Sequence, residues 1–220
     1  MQASQPRSAP TTPLFVGESP EEIHRAQVHL LGETFRPPVC ALEECFIALG
    51  TKLFYDLHHP HWYKEPDWFA VLGVPQVYEE PYRHLGYLVW HEGVSPFVVV
   101  ELLCSATASE DLGHSEDHLP PTKWEVYERI LRIPYYIAYD PDLGTLHIFQ
   151  LQGSSYEPLP LSEPRIWLKG LQLGLGLWQG AYRGLERSWL RWYDQDGVWL
   201  LTRQEQEEQQ QDYRPCKTSG

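Results

Sequence analysis

The sequence has few of the features that mark membrane-spanning or secreted proteins. Its longest apolar run, residues 97–103, is interrupted by Glu101 and falls far short of the ~20 residues that a helix needs to cross a bilayer. The N-terminal stretch contains prolines and no apolar segment typical of a secretory signal. The four cysteines form no CxxC pair and no zinc-ligand spacing. These absences favour a reducing, cytoplasmic setting, with Cys104 as a buried free thiol in its apolar run.

Basic side chains are also scarce. The chain has 17 Lys and Arg against 30 Asp and Glu, which gives a formal net charge of -13. This balance excludes a protein that coats nucleic acid through bulk charge, so any contact with DNA has to be local. A Gly-rich phosphate loop, a GxSxG elbow and a Cys/His nucleophile signature are all missing, which removes the commonest nucleotide-binding and hydrolase classes.

The 220 residues suffice for one domain with a real core. We expect a flexible arm over 1–19, a single domain over 20–202 and a polar tail over 203–220, the tail as a frayed helix or coil. Residues 20–36 have an acidic first turn followed by Ile23, Gln27, Leu30 and Leu31 at helical spacing, which predicts a helix. Two further helices are predicted, over 39–49 and over 122–132, the latter after two prolines.

Short runs of β-branched and aromatic residues alternate with turn residues and predict strands. The run over 97–103 is apolar enough to be central, and a final hairpin should turn at Asp196-Gly197. The predicted strands are 51–57, 67–73, 86–92, 97–103, the two arms about the turn 140–144, 156–160, 171–178 and the hairpin over 188–202. Helices, strands, one helix and more strands in this order indicate an α/β or α+β fold, in which helices pack on a sheet.

Two acids and a lysine break their local patterns. Asp67 follows Pro66, Glu101 lies inside an apolar strand, and Lys123 stands at the start of a predicted helix. A carboxylate in an apolar strand is costly to bury unless it is paired or bound to a cation. Two converging carboxylates would suit Mg²⁺ or Mn²⁺, and the lysine would orient water or neutralise charge on a phosphate. Alternatively, Glu101 points to solvent and Asp67 caps a turn.

The order and spacing of several short segments resemble the Uma-two family of PD-(D/E)xK restriction-endonuclease-like proteins. The resemblance covers roughly residues 40–200 and rests on YKEPDWFAV (63–71), VWHEG (89–93), VVELL (99–103), Lys123 with Tyr127, and IPYY (133–136) leading to Asp140-Pro141.

The resemblance implies a mixed central sheet flanked by helices, here with extra C-terminal β-hairpins. It also implies that Asp67 and Glu101 hold Mg²⁺ or Mn²⁺, that Leu102 offers its backbone carbonyl, and that Lys123 completes the catalytic set from the following helix. Leu103 stands where the basic residue of an E-x-K triplet would be, so that triplet is absent. The implied activity is metal-dependent hydrolysis of DNA phosphodiester bonds. The alternative is a binding or scaffold protein that keeps the fold without turnover, which the acidic charge and the altered loop after Glu101 favour.

Other polar clusters allow a functional and a structural interpretation. Histidines in two short segments would ligate zinc or lie in solvated loops. Glu44, next to Glu43, would supply a further acid from a helix or belong to a solvated face. An arginine cluster with Trp189 and Trp192 would hold a phosphate backbone, or form a salt-bridged edge or a subunit contact. The histidines are His58, His59, His61, His114 and His118, and the arginines are Arg183, Arg187 and Arg191.

The late tryptophans also bear on assembly. Trp189, Trp192 and Trp199 lie beside the leucine-rich strand over 171–177, and together they offer more apolar surface than one small domain is expected to cover. The sequence therefore predicts a symmetric homodimer.

Overall fold

The computed structural model describes residues 19–75, 85–104, 108–113 and 119–212. A 3-10 turn over Leu42–Glu44 precedes the first strand. The fourth helix continues as a π-helical turn over Val126–Ile130. The helices are α1 (Pro20–Thr34), α2 (Val89–Glu92), α3 (Ala108–Asp111), α4 (Lys123–Glu125) and α5 (Arg203–Asp212).

The strands form three sheets, a mixed six-stranded sheet and two three-stranded sheets. Their orders are β1-β4-β6-β7-β8-β9, β10-β11-β12 and β3-β2-β5. The strands are β1 (Cys45–Leu49), β2 (Leu53–Phe54), β3 (Tyr63–Lys64), β4 (Trp68–Leu72), β5 (Tyr87–Leu88), β6 (Val98–Leu102), β7 (Tyr135–Asp140), β8 (Thr145–Gln152), β9 (Ser155–Pro158), β10 (Arg165–Leu168), β11 (Leu173–Tyr182) and β12 (Leu185–Tyr193). This mixed α+β architecture confirms the predicted fold class.

Strand β6 lies inside the six-stranded sheet, antiparallel to β4 and parallel to β7. All five of its residues are buried because both faces of the sheet are covered. Val98 and Val100 belong to the core beneath α1, whereas Val99 belongs to the core beneath α4. The predicted central position of this apolar run is therefore confirmed. An acid in such a strand is shielded from water from both sides.

Helix α1 begins with a capping box, in which the Ser19 side chain accepts from the Glu22 N–H and the Glu22 carboxylate accepts from the Ser19 N–H. Its apolar stripe packs on the sheets, and the predicted helix is confirmed. Gln27 on that stripe is buried, and its side-chain amide donates to the Leu190 carbonyl at 2.8 Å and accepts from the Leu190 N–H at 2.9 Å. This double hydrogen bond fixes α1 against β12.

The apolar face of the second sheet is covered within one chain. Trp189 and Trp192 are buried, and Trp192 packs edge-on against Phe35 and tilted against Trp68, at ring-centroid distances of 5.1 and 5.8 Å. The premise of the homodimer prediction was therefore wrong, because helix α1 and the six-stranded sheet already cover these tryptophans.

Two predicted elements take a different secondary structure. Residues 39–49 form the 3-10 turn and β1 instead of a helix, because Phe46 and Ala48 face one core while Cys45 and Ile47 face the other. A strand buried on both faces shows a continuous apolar run that a short helix can share. Residues 86–92, predicted as one strand, form β5 and then α2.

The C-terminal hairpins are placed differently from the prediction. The longest hairpin pairs β11 with β12 and turns at Arg183 and Gly184, both with positive φ, as a two-residue hairpin turn requires. The predicted turn at Asp196-Gly197 exists, but it leads only to a single bridge between Tyr193 and Trp199.

The cysteines also depart from the prediction. Cys40 and Cys45 are joined by a disulfide, and Cys104 is exposed rather than buried, because it follows the end of β6 instead of lying within that strand. The cytoplasmic setting stays a prediction. Among the described residues, no helix is long and apolar enough to cross a membrane.

Candidate active site

Strand register brings the two predicted acids together. In the antiparallel pair of β4 and β6, Trp68 lies opposite Val100, so one further step places Asp67 opposite Glu101. Directly opposed residues of antiparallel strands are close neighbours. The Gly50 N–H donates to the Asp67 carbonyl at 2.9 Å and continues the β1–β4 pairing to this point. Both acids therefore lie at one end of the central sheet.

Asp67 lies at the mouth of the site and makes two hydrogen bonds. Its Oδ2 accepts from the Leu102 N–H at 2.6 Å, and its Oδ1 lies 2.8 Å from Nε2 of His24 on α1. The hydrogen bond to Asp67 outweighs partial burial and raises the pKa of His24. Because the N–H and C=O of a strand residue point to the same side, the Leu102 carbonyl also faces the Asp67 side of β6.

Glu101 is completely buried and is satisfied by two donors. Its Oε2 accepts from Lys123 Nζ at 3.0 Å, and its Oε1 accepts from the Tyr127 hydroxyl at 2.9 Å. Burial raises the pKa of Glu101 to about 8; the Lys123 ammonium opposes this increase, whereas Asp67 and Asp111 add to it. The interpretation that Glu101 points to solvent was wrong.

Lys123 reaches the site from the first residue of α4. The helix starts there because the Thr122 side chain caps it by accepting from the Glu125 N–H at 3.1 Å. Lys123 Nζ lies 3.0 Å from Glu101 Oε2 and also 3.0 Å from Asp111 Oδ1. Burial alone would lower the pKa of Lys123, but these two carboxylates outweigh burial and raise it above its ordinary value. The side chain is therefore held as an ammonium ion.

A cleft of about 680 Å³ opens beside these residues. Helix α1 contributes His24, Arg25 and His29 to its wall, and the end of the central sheet contributes Asp67 and Leu102. The cleft thus gives access to Asp67 and to the end of β6, and its wall carries the acids Glu21 and Asp142 as well as Arg25.

Sequence reasoning missed two residues of this site, His24 and Asp111. His24 follows the apolar Ile23 on an amphipathic helix, so its contact with Asp67, 43 residues away, leaves no local signal. Asp111 lies in a polar loop that reads as solvated, yet it is only 1% exposed. Only the tertiary fold shows that it faces Lys123.

The structure does not bring Glu44 into the site. Glu44 is exposed and precedes Cys45, which pairs with Leu72 at the far end of the β1–β4 pair from Asp67. The functional interpretation of Glu44 was therefore wrong.

Five histidines were candidate metal ligands, and the structure describes three of them, His58, His59 and His61. His59 lies 2.7 Å from Asp56 and stacks on Trp62, and no grouping of three or more potential metal ligands exists within the described residues. His114 and His118 lie outside the described residues.

The arginine cluster is ion-paired, as its structural interpretation predicts. Arg191 is 2% exposed, forms a bidentate pair with Glu205 and lies over the Trp178 ring, which contradicts a phosphate contact by this residue. Arg183 pairs with Glu33 at 3.3 Å, and Arg187 lies 3.5 Å from Asp142. These arginines serve contacts within the chain.

The mixed α+β fold, with its multi-stranded mixed sheet and helices, fits the restriction-endonuclease-like class. The Uma2 family model, described as "Putative restriction endonuclease", matches residues 14–181. The chain therefore belongs to the Uma2 family. Proteins of the restriction-endonuclease-like class generally use divalent metals. A search of curated proteins finds no match.

Proposed function

We propose that this protein is an endonuclease that hydrolyses DNA phosphodiester bonds with Mg²⁺ or Mn²⁺. The observation that carries the proposal is that Asp67, Glu101 and Lys123 lie at one end of the central sheet, around the end of β6. Asp67 and Glu101 are the proposed metal ligands, with the Leu102 carbonyl as a third, and Lys123 is the proposed assistant of the attacking water.

The donor set fits a hard cation. Asp67 and Glu101 present carboxylate oxygens, which Mg²⁺ and Mn²⁺ prefer. Each of these oxygens accepts one hydrogen bond in the structure and keeps a second lone pair. A bound cation would lower the pKa of a water molecule and neutralise charge on the phosphate.

Lys123 contributes positive charge that the fold holds in place. Its side chain is 18% exposed, and its ammonium contacts both Glu101 and Asp111. From this position it would donate a hydrogen bond to the attacking water or to a phosphoryl oxygen as negative charge develops.

The cleft supplies a local binding surface for the DNA backbone. Arg25 lines it on the same helix as His24, and a phosphate contact from such a side chain positions DNA without reading its sequence. This arrangement supports a local DNA contact on a chain whose net charge is -13.

The proposal is tested by cleavage of plasmid and single-stranded DNA with and without Mg²⁺ or Mn²⁺. We expect Asp67→Ala and Glu101→Ala to abolish cleavage and Lys123→Ala to reduce it less, because the lysine only assists. Asp56→Ala is the matched control, since Asp56 pairs with His59 away from the site. Cleavage that survives Asp67→Ala would contradict the proposal.

The second candidate is a nuclease-fold binding or scaffold protein without turnover. It is favoured by Glu101, whose two oxygens each accept a hydrogen bond from a side chain, that of Lys123 or Tyr127. Calorimetry separates the two candidates. Wild-type protein that neither cleaves DNA nor binds Mg²⁺ or Mn²⁺ would contradict the nuclease proposal and favour the scaffold function.

A further inference from the structure

Asp111 supplies a second carboxylate to Lys123, in addition to that of Glu101. It ends the short helix α3, is 1% exposed, and its Oδ1 lies 3.0 Å from Lys123 Nζ. Glu101 lies at the same distance from Nζ. Lys123 is thus held between two buried acids, only one of which belongs to the proposed metal-binding set.

The origin of Lys123 explains why a second acid is needed. Lys123 is carried by α4 and reaches Glu101 of the central sheet from there. A lysine ammonium sits on a flexible four-carbon stem, so a single contact with Glu101 leaves its direction open. Asp111 adds a second ion pair, without hydrogen-bond geometry, and its charge narrows the positions that the ammonium can take.

The end of α3 is held by two contacts with neighbouring elements, one of Asp111 and one of Gly113. The Tyr136 hydroxyl, from β7, donates to the Asp111 carbonyl at 2.7 Å. Gly113 lies against the Trp124 ring so closely that a Cβ at this position would come within 2.6 Å of it, and its φ is +72°. The end of α3 is therefore fixed against both the central sheet and α4, and Asp111 is anchored where it meets Lys123.

From this geometry we infer that Asp111 is a positioning residue, which holds the Lys123 ammonium beside Glu101 for the hydrolysis of the phosphodiester bond. The inference rests on the proposed function for its catalytic consequence, whereas the positioning of Lys123 is measurable without it. Asp111 acts through Lys123 and contacts no substrate.

The kinetic test compares Asp111→Ala and the isosteric Asp111→Asn with wild type in DNA cleavage. We expect Asp111→Ala to lower kcat by about 10 to 100-fold, the loss typical of residues that orient a catalytic group, with KM for DNA changed less than about 2-fold. Asp111→Asn keeps the shape of the side chain and loses its charge, so its kcat should lie between those of wild type and Asp111→Ala. Glu128→Gln is the control, because Glu128 is buried and accepts from the Tyr156 N–H at 2.8 Å without reaching Lys123.

The double variant separates positioning from a general structural role. If Asp111 acts through Lys123, then Asp111→Ala added to Lys123→Ala changes kcat by less than about 2-fold. The inference would be overturned if the kcat losses of Asp111→Ala and Lys123→Ala multiplied in the double variant, as any losses of Glu128→Gln and Lys123→Ala should. An unchanged kcat in Asp111→Ala would also overturn it.

A readout without DNA keeps the two proposals distinguishable. In ¹⁵N NMR of the side-chain ammonium groups, the Lys123 signal, identified by its loss in Lys123→Ala, should be visible in wild type and strongly weakened in Asp111→Ala, because an ammonium that has lost one of its two acids exchanges its protons with water faster. A Lys123 signal that persists unchanged in Asp111→Ala overturns the positioning role. A wild type that shows this signal behaviour but never cleaves DNA overturns the proposed function alone.

Discussion

The pKa of Glu101 should make the stability of this protein fall as the pH rises. Glu101 is completely buried and has a pKa of about 8 in the folded protein, against an ordinary value of 4.5. The folded protein therefore binds this proton more tightly than the unfolded chain. The resulting stabilisation is fully present below about pH 4.5 and is lost as the pH rises through about 8.

The size of the effect follows from the difference between the two pKa values. It corresponds to about 5 kcal/mol in total, of which about 4 kcal/mol is lost between pH 5 and pH 9. Glu101→Gln removes the titration but keeps the side-chain length, and its amide can still accept from Lys123 and donate to the Tyr127 oxygen. The free energy of unfolding of wild type, relative to this variant, should therefore fall by about 4 kcal/mol over the same range.

Urea unfolding of both proteins in EDTA, at pH values from 5 to 9, measures this difference. Mg²⁺ at about 100 times its dissociation constant should then raise the stability of wild type at pH 9 by about 2.7 kcal/mol, and that of Glu101→Gln by much less. A difference between the two proteins that stays constant to within about 1 kcal/mol from pH 5 to pH 9 would refute the reasoning.

Two further predictions concern contacts that hold the elements together. Arg191→Met should lower the free energy of unfolding by about 1 to 3 kcal/mol, because Glu205 and the Leu200 carbonyl lose the hydrogen bonds that Arg191 donates. Urea titration measures this loss, with Arg203→Met as the control because Arg203 is exposed. Equal losses of stability in the two variants would contradict the prediction. Gln27→Ala should lower the free energy of unfolding by about 2 to 4 kcal/mol, since it leaves the N–H and C=O of Leu190 without these partners. A free energy of unfolding within about 0.5 kcal/mol of wild type would contradict this and show that water replaces the amide.

The strand that carries Glu101 could be predicted from its apolar run of β-branched residues. The run left two interpretations of Glu101 itself, a buried acid with a partner or an acid that points to solvent, and the structure shows the partners, Lys123 and Tyr127. The run CFIAL in β1 was harder to assign as a strand. A strand buried on both faces shows no alternation of apolar and polar residues that would distinguish it from a helix.

Contacts between distant parts of the chain account for the residues that sequence reasoning missed. His24 meets Asp67 only because α1 crosses the end of the sheet, and Asp111 meets Lys123 only because α3 folds back on α4. The buried tryptophans were misjudged for the same reason, as their cover is supplied by α1 from the other end of the sequence. Patterns within a segment cannot report such partners.

The double hydrogen bond between Gln27 and Leu190 also orders events during synthesis of the chain. The two residues are 163 positions apart, so at about 5 to 20 residues per second, roughly 8 to 33 s pass between their incorporation. Strand β12 lies beyond residue 181, where the family match ends. Helix α1, which brings His24 to Asp67, therefore acquires this support only after residue 190 has been added. A nascent chain on the ribosome carries the acids of the site before the helix beside them is fixed, and a chain shortened to residue 181 would remain in that unfinished state.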